Sequence, residues 1–380
     1  MAARDVAGLT TDQRNELRST AISFLEAKAG SAELRRMVAS ADGDQRLWNE
    51  ICELGWLALE VPEDHGGVSG RFADLAILLE ALGRLMTPVP FMSATVLGIA
   101  ALRQADVGLR ELWLPRLSSG EYTATAALTG PLGDLGTISV DALSTGDGWT
   151  LHGVSGYVPD ARRAGAIAVA ARRPGSKDPT LFVVEADAPG ISIRPLKTVD
   201  VTRQVDEVTF QGVRVTEEDA LGEFDYGTGL RDELLDRAAM AIACDAAAGA
   251  QRLLEITLEH LRTREQFGRP VGSFQALKHR CVNMHLRVES ARTASFHAAA
   301  AAEDPIARPV AASIAKAVAA DAYEFVAAEA VQLHGGVGFT EEYDPHLHLK
   351  RARLNAALFG TSAWHRDRIA RFGLEAVEWT

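Results

Sequence analysis

Cysteine is scarce in this chain of 380 residues, and its three cysteines stand far apart. Cys52, Cys244 and Cys281 show none of the paired spacings that are typical of zinc sites, and three thiols make a poor disulfide framework. We therefore expect no metal centre and no disulfide scaffold. A reducing cytoplasm is the compartment that this cysteine usage favours.

Long apolar runs and an excess of positive charge are also missing. No run approaches the roughly 18 apolar residues of a membrane span, and Asp245 interrupts the alanine-rich stretch 238–250. Residues 1–7 lack the apolar core of a signal peptide. The net charge of -12 disfavours nucleic acid or an anionic membrane as the main partner. We expect a soluble protein that binds neither.

Helical patterns dominate the first part of the chain. Hydrophobic residues make up 47% of the sequence and charged residues 24%, as in an ordinary globular protein of two or three domains. Thr10 and Gln13 have the spacing of a capping box, which predicts a helix that Gly30 ends. Apolar residues recur at helical spacing over 47–54 and again over 75–82.

The pattern changes near Tyr122 to short segments rich in Val, Ile and Thr, separated by Gly, Pro and Asp. Apolar and polar residues nearly alternate around 205–215, which is typical of a half-buried strand. The predicted strands are 149–158, 166–171, 180–185 and 205–215. We interpret this stretch as a middle β domain.

The helical period returns after Gly227. Long helices are predicted over 230–263, 272–302, 306–333 and 343–373. Four antiparallel helices of this length favour a bundle. The predicted domains are therefore a helical N-terminal domain (1–121), a middle β domain (122–226) and a C-terminal four-helix bundle (227–380).

Two glycine-containing segments are ambiguous when each is taken alone. Gly335 and Gly336 at a helix end are typical of a C-cap, and an arginine such as Arg264 at a helix C-terminus is usually solvated. The alternative is that the glycine backbone lets a pyrophosphate approach, while the planar guanidinium binds a phosphate and Phe267 provides an apolar wall.

Together, three motifs resemble those of the acyl-CoA dehydrogenase family in order and spacing. They are Arg-Glu-Gln-Phe-Gly at 264–268, Gln-Leu-His-Gly-Gly at 332–336 and Leu-Phe-Gly-Thr-Ser at 358–362. The stretch 56–67 resembles the family's N-terminal loop, and the likeness spans nearly the whole chain. It implies a mainly α fold with a β-barrel-like middle domain, FAD as cofactor, an acyl-CoA substrate and an electron-transfer acceptor.

The resemblance also implies a division of the flavin site between subunits. One set of residues matches positions that reach the adenine and pyrophosphate of an FAD seated in the neighbouring subunit. These residues are Arg264, Gln266, Phe267, Phe274, Gln275, Gln332, Leu333, His334, Gly335 and Gly336. The family holds flavin and substrate in cis with a Thr-Glu-Pro-Gly-Ala-Gly-Ser-Asp motif. The matching segment here, 128–134, lacks the glutamate and the serine, and Tyr157 stands where a tryptophan is usual.

The catalytic base of the family has no match. Removal of the α-proton of a thioester needs a base, for which the family uses a glutamate, but Phe359 occupies the usual position and Ala238 the alternative one. Asp236 is the nearest substitute, yet it is shorter than glutamate and about half a helical turn away. We expect it to serve the helix surface or a cap. In the family, the backbone N–H at this position helps to polarise the thioester carbonyl, so the resemblance implies that the N–H of Phe359 can keep this part of the site without a base.

Three histidines near the C-terminus also need an interpretation. His346 and His348 are two residues apart, which separates them by about 200° around a helix and excludes a metal pair on one helical face. We expect both to pack at the surface or at an interface. His365, just beyond Phe359, could face a pocket.

The resemblance predicts a subunit of a heteromeric acyl-CoA dehydrogenase whose sister subunit supplies the glutamate. Such α2β2 assemblies resemble the actinobacterial enzymes that shorten sterol side chains, which favours a bulky CoA thioester as substrate. Two alternatives stay open. One is a self-contained homo-oligomer with an unusual base, and the other is a flavin-free structural subunit.

Overall fold

Helices form the two ends of the chain and strands form its middle, as the sequence predicts, in the computed structural model of residues 8–39 and 45–375. The N-terminal helices are α1 (Thr11–Lys28), α2 (Ser31–Ala39), α3 (Gln45–Glu53), α4 (Phe72–Arg84), α5 (Ala100–Leu102) and α6 (Val107–Ser118). A π-helical segment, Ser93–Ile99, runs directly into α5. Residues 1–7, in which we expect no signal peptide, lie outside the described residues.

Helix α1 begins with the predicted capping box. The Thr10 hydroxyl accepts a hydrogen bond from the Gln13 N–H, and the Gln13 side chain accepts one from the Thr10 N–H. These two bonds satisfy amide groups that the start of a helix leaves free. The helix ends at Lys28, close to the predicted stop at Gly30.

The middle of the chain folds into two sheets. The first has the order β1 (Ala124–Ala127), β4 (Ala166–Ala171), β5 (Thr180–Glu185), and the second has the order β2 (Val140–Ser144), β3 (Trp149–Pro159), β7 (Val205–Val215), β6 (Ile191–Pro195). Among the strand pairs of these two sheets in the described ranges, β1 and β4 are parallel and the other pairs are antiparallel. The four predicted strands are confirmed, whereas β1, β2 and β6 were not predicted.

A common apolar core joins the two sheets. Ile167 and Phe182 contribute to it from the first sheet, and Leu151 and Phe210 from the second. All four are at most 1% exposed, so each sheet covers the inner face of the other. Burial of such side chains is the main stabilising contribution in a two-sheet domain.

The C-terminal part is a helical bundle. Three predicted long helices are confirmed as α7 (Thr228–Thr263), α8 (Gln275–Ala300) and α9 (Arg308–His334). The prediction of one further helix over 343–373 is wrong, because the structure has α10 (Pro345–Ala357) and α11 (Ser362–Glu375) with a turn between them. None of the helices in the described ranges has the length and apolar character that crossing a membrane requires.

A buried ionic network fixes the middle domain against the bundle. Asp245 on α7 accepts hydrogen bonds from Arg351 on α10 at 2.7 Å and from Arg203 of the β6–β7 connection at 3.1 Å. Burial disfavours the charged form of Asp245, yet the two guanidinium groups outweigh it and lower the pKa to about 2. Asp245 therefore stays charged inside the protein, between the two guanidinium groups.

The surface role expected for His348 is wrong. Its side chain is 1% exposed, and its Nδ1 lies 2.7 Å from the hydroxyl of Tyr323 on α9. Burial lowers the pKa of His348 to about 4. His346 is half-buried and belongs to no metal cluster, since the described residues contain no group of three or more potential ligands.

Candidate functional site

A cavity of about 300 Å³ lies between the middle domain and the last two helices. We call it the Phe359 cavity. Its lining residues are Thr129, Leu132, Gly133, Asp134, Leu135, Tyr157, Ala357, Leu358, Phe359, Gly360, Thr361 and Trp364. The structure thus brings the segment 128–134 together with Tyr157 and Phe359, which the resemblance assigns to flavin and substrate.

Arg231 holds the loop 128–135, which lines one side of the cavity. This side chain, in the first turn of α7, donates hydrogen bonds to the carbonyl oxygens of Leu128 at 2.9 Å and Leu135 at 2.6 Å. Arg231 is 8% exposed, so both bonds are shielded from water. Sequence reasoning missed this residue, because a lone arginine near a helix start gives no signal of burial.

A bulge in β3 places Tyr157 at the cavity. The pairing of β3 with β7 shifts between Ser155 and Val158, and Tyr157 has a φ of 54°. A Cβ added to Gly156 would come within 2.0 Å of the carbonyl oxygen of Pro131. Glycine is therefore required there for the bulge to approach the loop.

The cavity holds one carboxylate among its described lining residues, and that carboxylate is poorly suited to act as a base. Asp134 accepts hydrogen bonds from the Thr137 hydroxyl and the Gly136 N–H, and these bonds lower its pKa. A weakly basic, exposed carboxylate removes an α-proton less readily than one whose pKa is raised by burial. Phe359 offers only an aromatic ring at the usual base position.

The two other base candidates lie elsewhere. Ala238 and Asp236 are both buried in α7, and neither lines the Phe359 cavity. The surface role expected for Asp236 is wrong, because the residue is 1% exposed and forms ion pairs with Arg368 and Arg308. Burial raises the pKa of its carboxyl group, and Arg368 opposes this effect. Asp236 is a structural charge of the bundle.

His365 does not line the cavity either. It is 1% exposed and lies behind the Phe359 turn, where its Nε2 is 2.9 Å from the carbonyl oxygen of Phe359. Burial lowers the pKa of His365 to about 3. The ring is neutral near pH 7, and Nε2–H is the donor since a carbonyl oxygen only accepts.

A second region carries the predicted phosphate-binding residues. Strands β8 (Glu265–Gln266) and β9 (Arg269–Pro270) form a tight hairpin whose turn residues, Phe267 and Gly268, have φ angles of 56° and 73°. Both angles are those of a type I′ turn. Phe267 is 91% exposed at the tip, and Arg264 caps α7 beside it.

The side chains around this hairpin are presented to solvent. Arg264, Gln266 and Gln275 are exposed, and the guanidinium of Arg264 makes no hydrogen bond or ion pair with another described residue. Phe274 is half-buried and packs edge-on against Phe267, with ring centroids 6.2 Å apart. The predicted residues of this segment therefore share one surface.

The turn after α9 adds open backbone to that surface. Gly335 has a φ of 65°, and a Cβ added to Gly336 would meet no atom within 4 Å. Gln332 is exposed and Leu333 is half-buried. We call Arg264, Gln266, Phe267, Phe274, Gln275 and residues 332–336 the hairpin–turn surface.

A stacked histidine pair joins the two segments of this surface. The ring of His334 is buried and stacks on His260, in the last turn of α7, with centroids 4.3 Å apart. Its Nδ1 also lies 2.8 Å from the Ala330 carbonyl oxygen, so His334 contributes only backbone to the surface. Sequence reasoning missed His260.

The donor set of the hairpin–turn surface fits a phosphate-bearing group. The guanidinium of Arg264 has no side-chain partner among the described residues, and the backbone of Gly336 is exposed beside it, so the surface offers charged and neutral N–H donors. The exposed ring of Phe267 supplies an apolar contact for a flat group. These residues fit the dinucleotide end of FAD.

Comparison with known proteins identifies the family. The acyl-CoA dehydrogenase N-terminal domain matches residues 11–121, and the acyl-CoA dehydrogenase C-terminal domain matches residues 225–374. The acyl-CoA dehydrogenase IpdE2 of Mycolicibacterium smegmatis is 32% identical over 369 residues, which cover 96% of this chain and 99% of that protein. The chain belongs to the acyl-CoA dehydrogenase family.

Solved structures of this family agree with the assignment. The ChsE4-ChsE5 complex of Mycobacterium tuberculosis contains a chain that is 28% identical, with a TM-score of 0.89 over 97% of this chain and 99% of that one. The steroid acyl-CoA dehydrogenase Tcur3481-Tcur3483, in a G363A variant, is 31% identical, with a TM-score of 0.87 over 96% of this chain and 98% of that one.

These matches confirm several predictions. The mainly α fold with a middle β domain is that of the family, and the resemblance to actinobacterial steroid-type enzymes is confirmed. FAD is the cofactor that the family match supports. The same matches support the oxidoreductase activity of the family, which is the dehydrogenation of an acyl-CoA.

Proposed function

We propose that this chain is the base-free subunit of a heteromeric acyl-CoA dehydrogenase. It would donate the hairpin–turn surface to an FAD seated in a sister subunit, and the sister subunit would supply the catalytic glutamate. The proposal is supported by the contrast between two regions. The hairpin–turn surface has free phosphate-binding groups, whereas Phe359 stands where the base of the family would be.

The length of α7 supports a site shared between subunits. This helix has 36 residues. Arg231, which holds the loop of the Phe359 cavity, lies near its start, and Arg264 of the hairpin–turn surface caps its end. At 1.5 Å per residue, the two positions are about 50 Å apart along the helix axis. One dinucleotide cannot reach from the Phe359 cavity to the hairpin–turn surface of the same chain. An FAD that contacts a cavity of the first kind and a surface of the second kind must therefore lie between two chains.

The relatives support a heteromer and a bulky substrate. ChsE4-ChsE5 is described as a complex, and Tcur3481-Tcur3483 as a steroid acyl-CoA dehydrogenase. By analogy, we propose a bulky CoA thioester, related to a degraded sterol side chain, as the substrate class. An electron-transfer protein would accept the reducing equivalents, and the enzyme would act in the cytoplasm.

Each group of residues has a separate task in this proposal. When bound, FAD supplies the hydride-accepting chemistry of the family. Arg264 would bind a phosphate of the cofactor and Gln275 would contact its adenine end. In the segment 332–336, the exposed backbone of Gly336 would donate an N–H group to the pyrophosphate. We also propose that the chain is divided into an N-terminal helical domain (1–121), a middle β domain (122–226) and a C-terminal helical bundle (227–380).

Purification alone and with the sister subunit tests the proposal. The chain and the product of an adjacent dehydrogenase-like gene are expressed separately and together, and flavin absorbance and enoyl-CoA formation with an artificial electron acceptor are measured. We expect flavin and turnover only for the pair. Turnover by the lone chain would favour the homo-oligomer, and a flavin-free complex would favour the structural subunit.

A further inference from the structure

The loop that follows the glycine turn of the hairpin–turn surface is tied to the N-terminal domain by Arg35 of α2. The Nε of Arg35 donates a hydrogen bond to the carbonyl oxygen of Glu341 at 2.6 Å, and one terminal nitrogen donates to that of Glu342 at 2.9 Å. The same terminal nitrogen forms an ion pair with the carboxylate of Asp344. Arg35 and Glu341 are 306 residues apart in sequence, so these contacts exist only in the folded chain.

Helix α2 also orients the Arg35 side chain. The other terminal nitrogen of Arg35 donates to the carbonyl oxygen of Ser31, one helical turn earlier, at 3.0 Å. The Ser31 hydroxyl donates to the carboxylate of Asp344. The side chains of Arg35 and Asp344 are 29% and 12% exposed, so the ion pair is partly shielded from water. A planar guanidinium with four such contacts fixes the path of a backbone more closely than a single surface ion pair does.

The loop makes few hydrogen bonds of its own. After the short 3₁₀ helix Gly335–Phe339, the loop has one turn bond before α10, from the Tyr343 N–H to the Thr340 carbonyl oxygen. The carbonyl oxygens of residues 341 and 342 accept no hydrogen bond from a backbone N–H in the described part of the chain. An exposed loop of this kind has many available paths unless a partner restricts it. Arg35 supplies that restriction.

Tyr343 connects the residues held by Arg35 to the hairpin–turn surface. Its ring packs edge-on against His334, with ring centroids 6.4 Å apart. The ring of His334 stacks on His260, whose carbonyl oxygen accepts a hydrogen bond from the Arg264 N–H at 2.9 Å. A continuous series of contacts therefore leads from α2 to both segments of the surface.

We propose that Arg35, together with Ser31 and Asp344, is a positioning residue for the FAD-binding part of the hairpin–turn surface. The exposed N–H of Gly336 can donate to a phosphate only while the loop after it keeps its path, because a hydrogen bond weakens steeply with distance and angle. The N-terminal domain thereby supports a cofactor site of the C-terminal bundle. This inference rests on the proposed function, from which it takes the FAD contact of this surface.

Flavin titration tests the role of Arg35. The complex with the sister subunit is stripped of flavin and titrated with FAD, and flavin fluorescence gives the dissociation constant. Arg35→Met should raise this constant about five- to tenfold, the effect of weakening one hydrogen bond to a phosphate. Arg46→Met is the matched control, because this arginine of α3 is 80% exposed and pairs with Glu50 of its own helix. It should leave the constant unchanged. An unchanged constant in Arg35→Met would overturn the proposal.

Fragments of the cofactor separate positioning from general damage. ADP carries the adenine and the pyrophosphate, whereas riboflavin carries the isoalloxazine without a phosphate. In the Arg35→Met complex, the affinity for ADP should fall by the same factor as that for FAD, and the affinity for riboflavin should match that of the native complex. An equal loss for ADP and riboflavin would overturn the positioning role.

Asp344 provides a second variant of the same contact. Asp344→Asn removes the charge that Arg35 and Ser31 share and should weaken FAD binding about two- to threefold. In combination with Arg35→Met it should cause no further loss, since both changes disturb one contact. Additive losses would contradict the proposal. If Arg35→Met does not fold, the ADP and riboflavin affinities of Asp344→Asn decide the question.

Arg264→Ala distinguishes a failure of this inference from a failure of the proposed function. An unchanged FAD affinity in Arg264→Ala would refute the proposed function and this inference with it. A loss of FAD affinity in Arg264→Ala but not in Arg35→Met would refute this inference alone.

Discussion

The Phe359 cavity and the hairpin–turn surface, at opposite ends of α7, differ in how their polar groups are used. In the hairpin–turn surface, the guanidinium of Arg264 has no partner among the described residues, and the backbone of Gly336 is exposed. Behind the lining of the cavity, the buried side chains of Arg231, Lys316 and His365 each lie within hydrogen-bond distance of a backbone carbonyl oxygen of a lining segment. Groups without a partner are what a site completed by another molecule requires, whereas groups with partners maintain a shape.

The proposed function gives a reason for this difference between the two regions. A subunit that only donates Arg264 and residues 332–336 needs them free and correctly placed. Its own cavity is released from the need for a carboxylate, and Phe359 fills that position. The turn around Phe359 nevertheless keeps its two buried donors, so the loss concerns the base and not the backbone.

The largest expected effect is on flavin binding. Arg264→Ala removes a charge-assisted phosphate contact worth about 1.5–3 kcal/mol, so the co-purified complex should lose most of its flavin on dilution. The measurement is flavin absorbance per protein after gel filtration. Arg262→Ala removes the same charge from an exposed position two residues away and should keep the flavin. Equal flavin content in both variants would contradict the role of Arg264.

The next effect concerns the stability of the cavity. Arg231→Met leaves the carbonyl oxygens of Leu128 and Leu135 without their buried donor, so the free energy of unfolding should fall by about 1–3 kcal/mol. Denaturant unfolding measures this change. Arg214→Met, at an exposed position of β7, should have a much smaller effect. A similar fall in both variants would show that Arg231 has no special part in holding the loop.

The pH dependence of stability should report His365 behind the cavity. The folded protein holds the pKa of His365 at about 3 and that of His348 at about 4, against an ordinary value of 6.5. Between the folded-state pKa and 6.5, each histidine is protonated in the unfolded chain but neutral in the folded protein. The free energy of unfolding should therefore fall as the pH decreases from 6.5. Each histidine contributes a slope of up to about 1.4 kcal/mol per pH unit.

Substitution separates the two histidines. His365→Gln should remove the contribution of His365 to this slope. The slope is measured by urea unfolding between pH 5 and pH 7, where unfolding takes up at most roughly one proton per buried histidine. His297→Gln, at an exposed position of α8, should leave the slope unchanged. An unchanged slope in the His365 variant would mean that its ring is accessible to protons in the folded state.

The smallest effect is expected when a carboxylate is put back at the base position. Phe359→Glu places a carboxylate at the base position, yet the segment 128–134 still lacks the glutamate and serine of the family motif. We expect no enoyl-CoA formation by this variant in the absence of the sister subunit. Robust turnover by it alone would show that the cavity retains everything except the base.

The fold was predictable where local pattern and tertiary structure agree. Strands β4 and β5 are confirmed with the predicted bounds. Ile167 and Val169 alternate with alanine in β4, β5 is rich in apolar and β-branched residues, and Gly, Pro and Asp flank both strands. Strand β1 (Ala124–Ala127) was missed because alanine gives no strand signal and its burial comes from neighbouring elements. The break between α10 and α11 was missed because Gly360 was interpreted as part of a motif and not as a helix end.

The candidate site was predictable only in part, for a physical reason. Motif resemblance indicated Arg264 and the segment 332–336, whose roles remain predictions. It did not indicate His260, Arg231 or Lys316, since burial of a polar side chain depends on what packs against it. For the same reason Asp236 and His348 were wrongly placed at the surface.

The proposed division of roles between the two subunits is tested most directly on the sister subunit. The complex is prepared with the glutamate of the sister chain replaced by glutamine, while this chain is left unchanged, and flavin content and enoyl-CoA formation are measured together. The account predicts full flavin content and loss of turnover, because no carboxylate of this chain reaches the substrate. Turnover close to that of the native complex would contradict it.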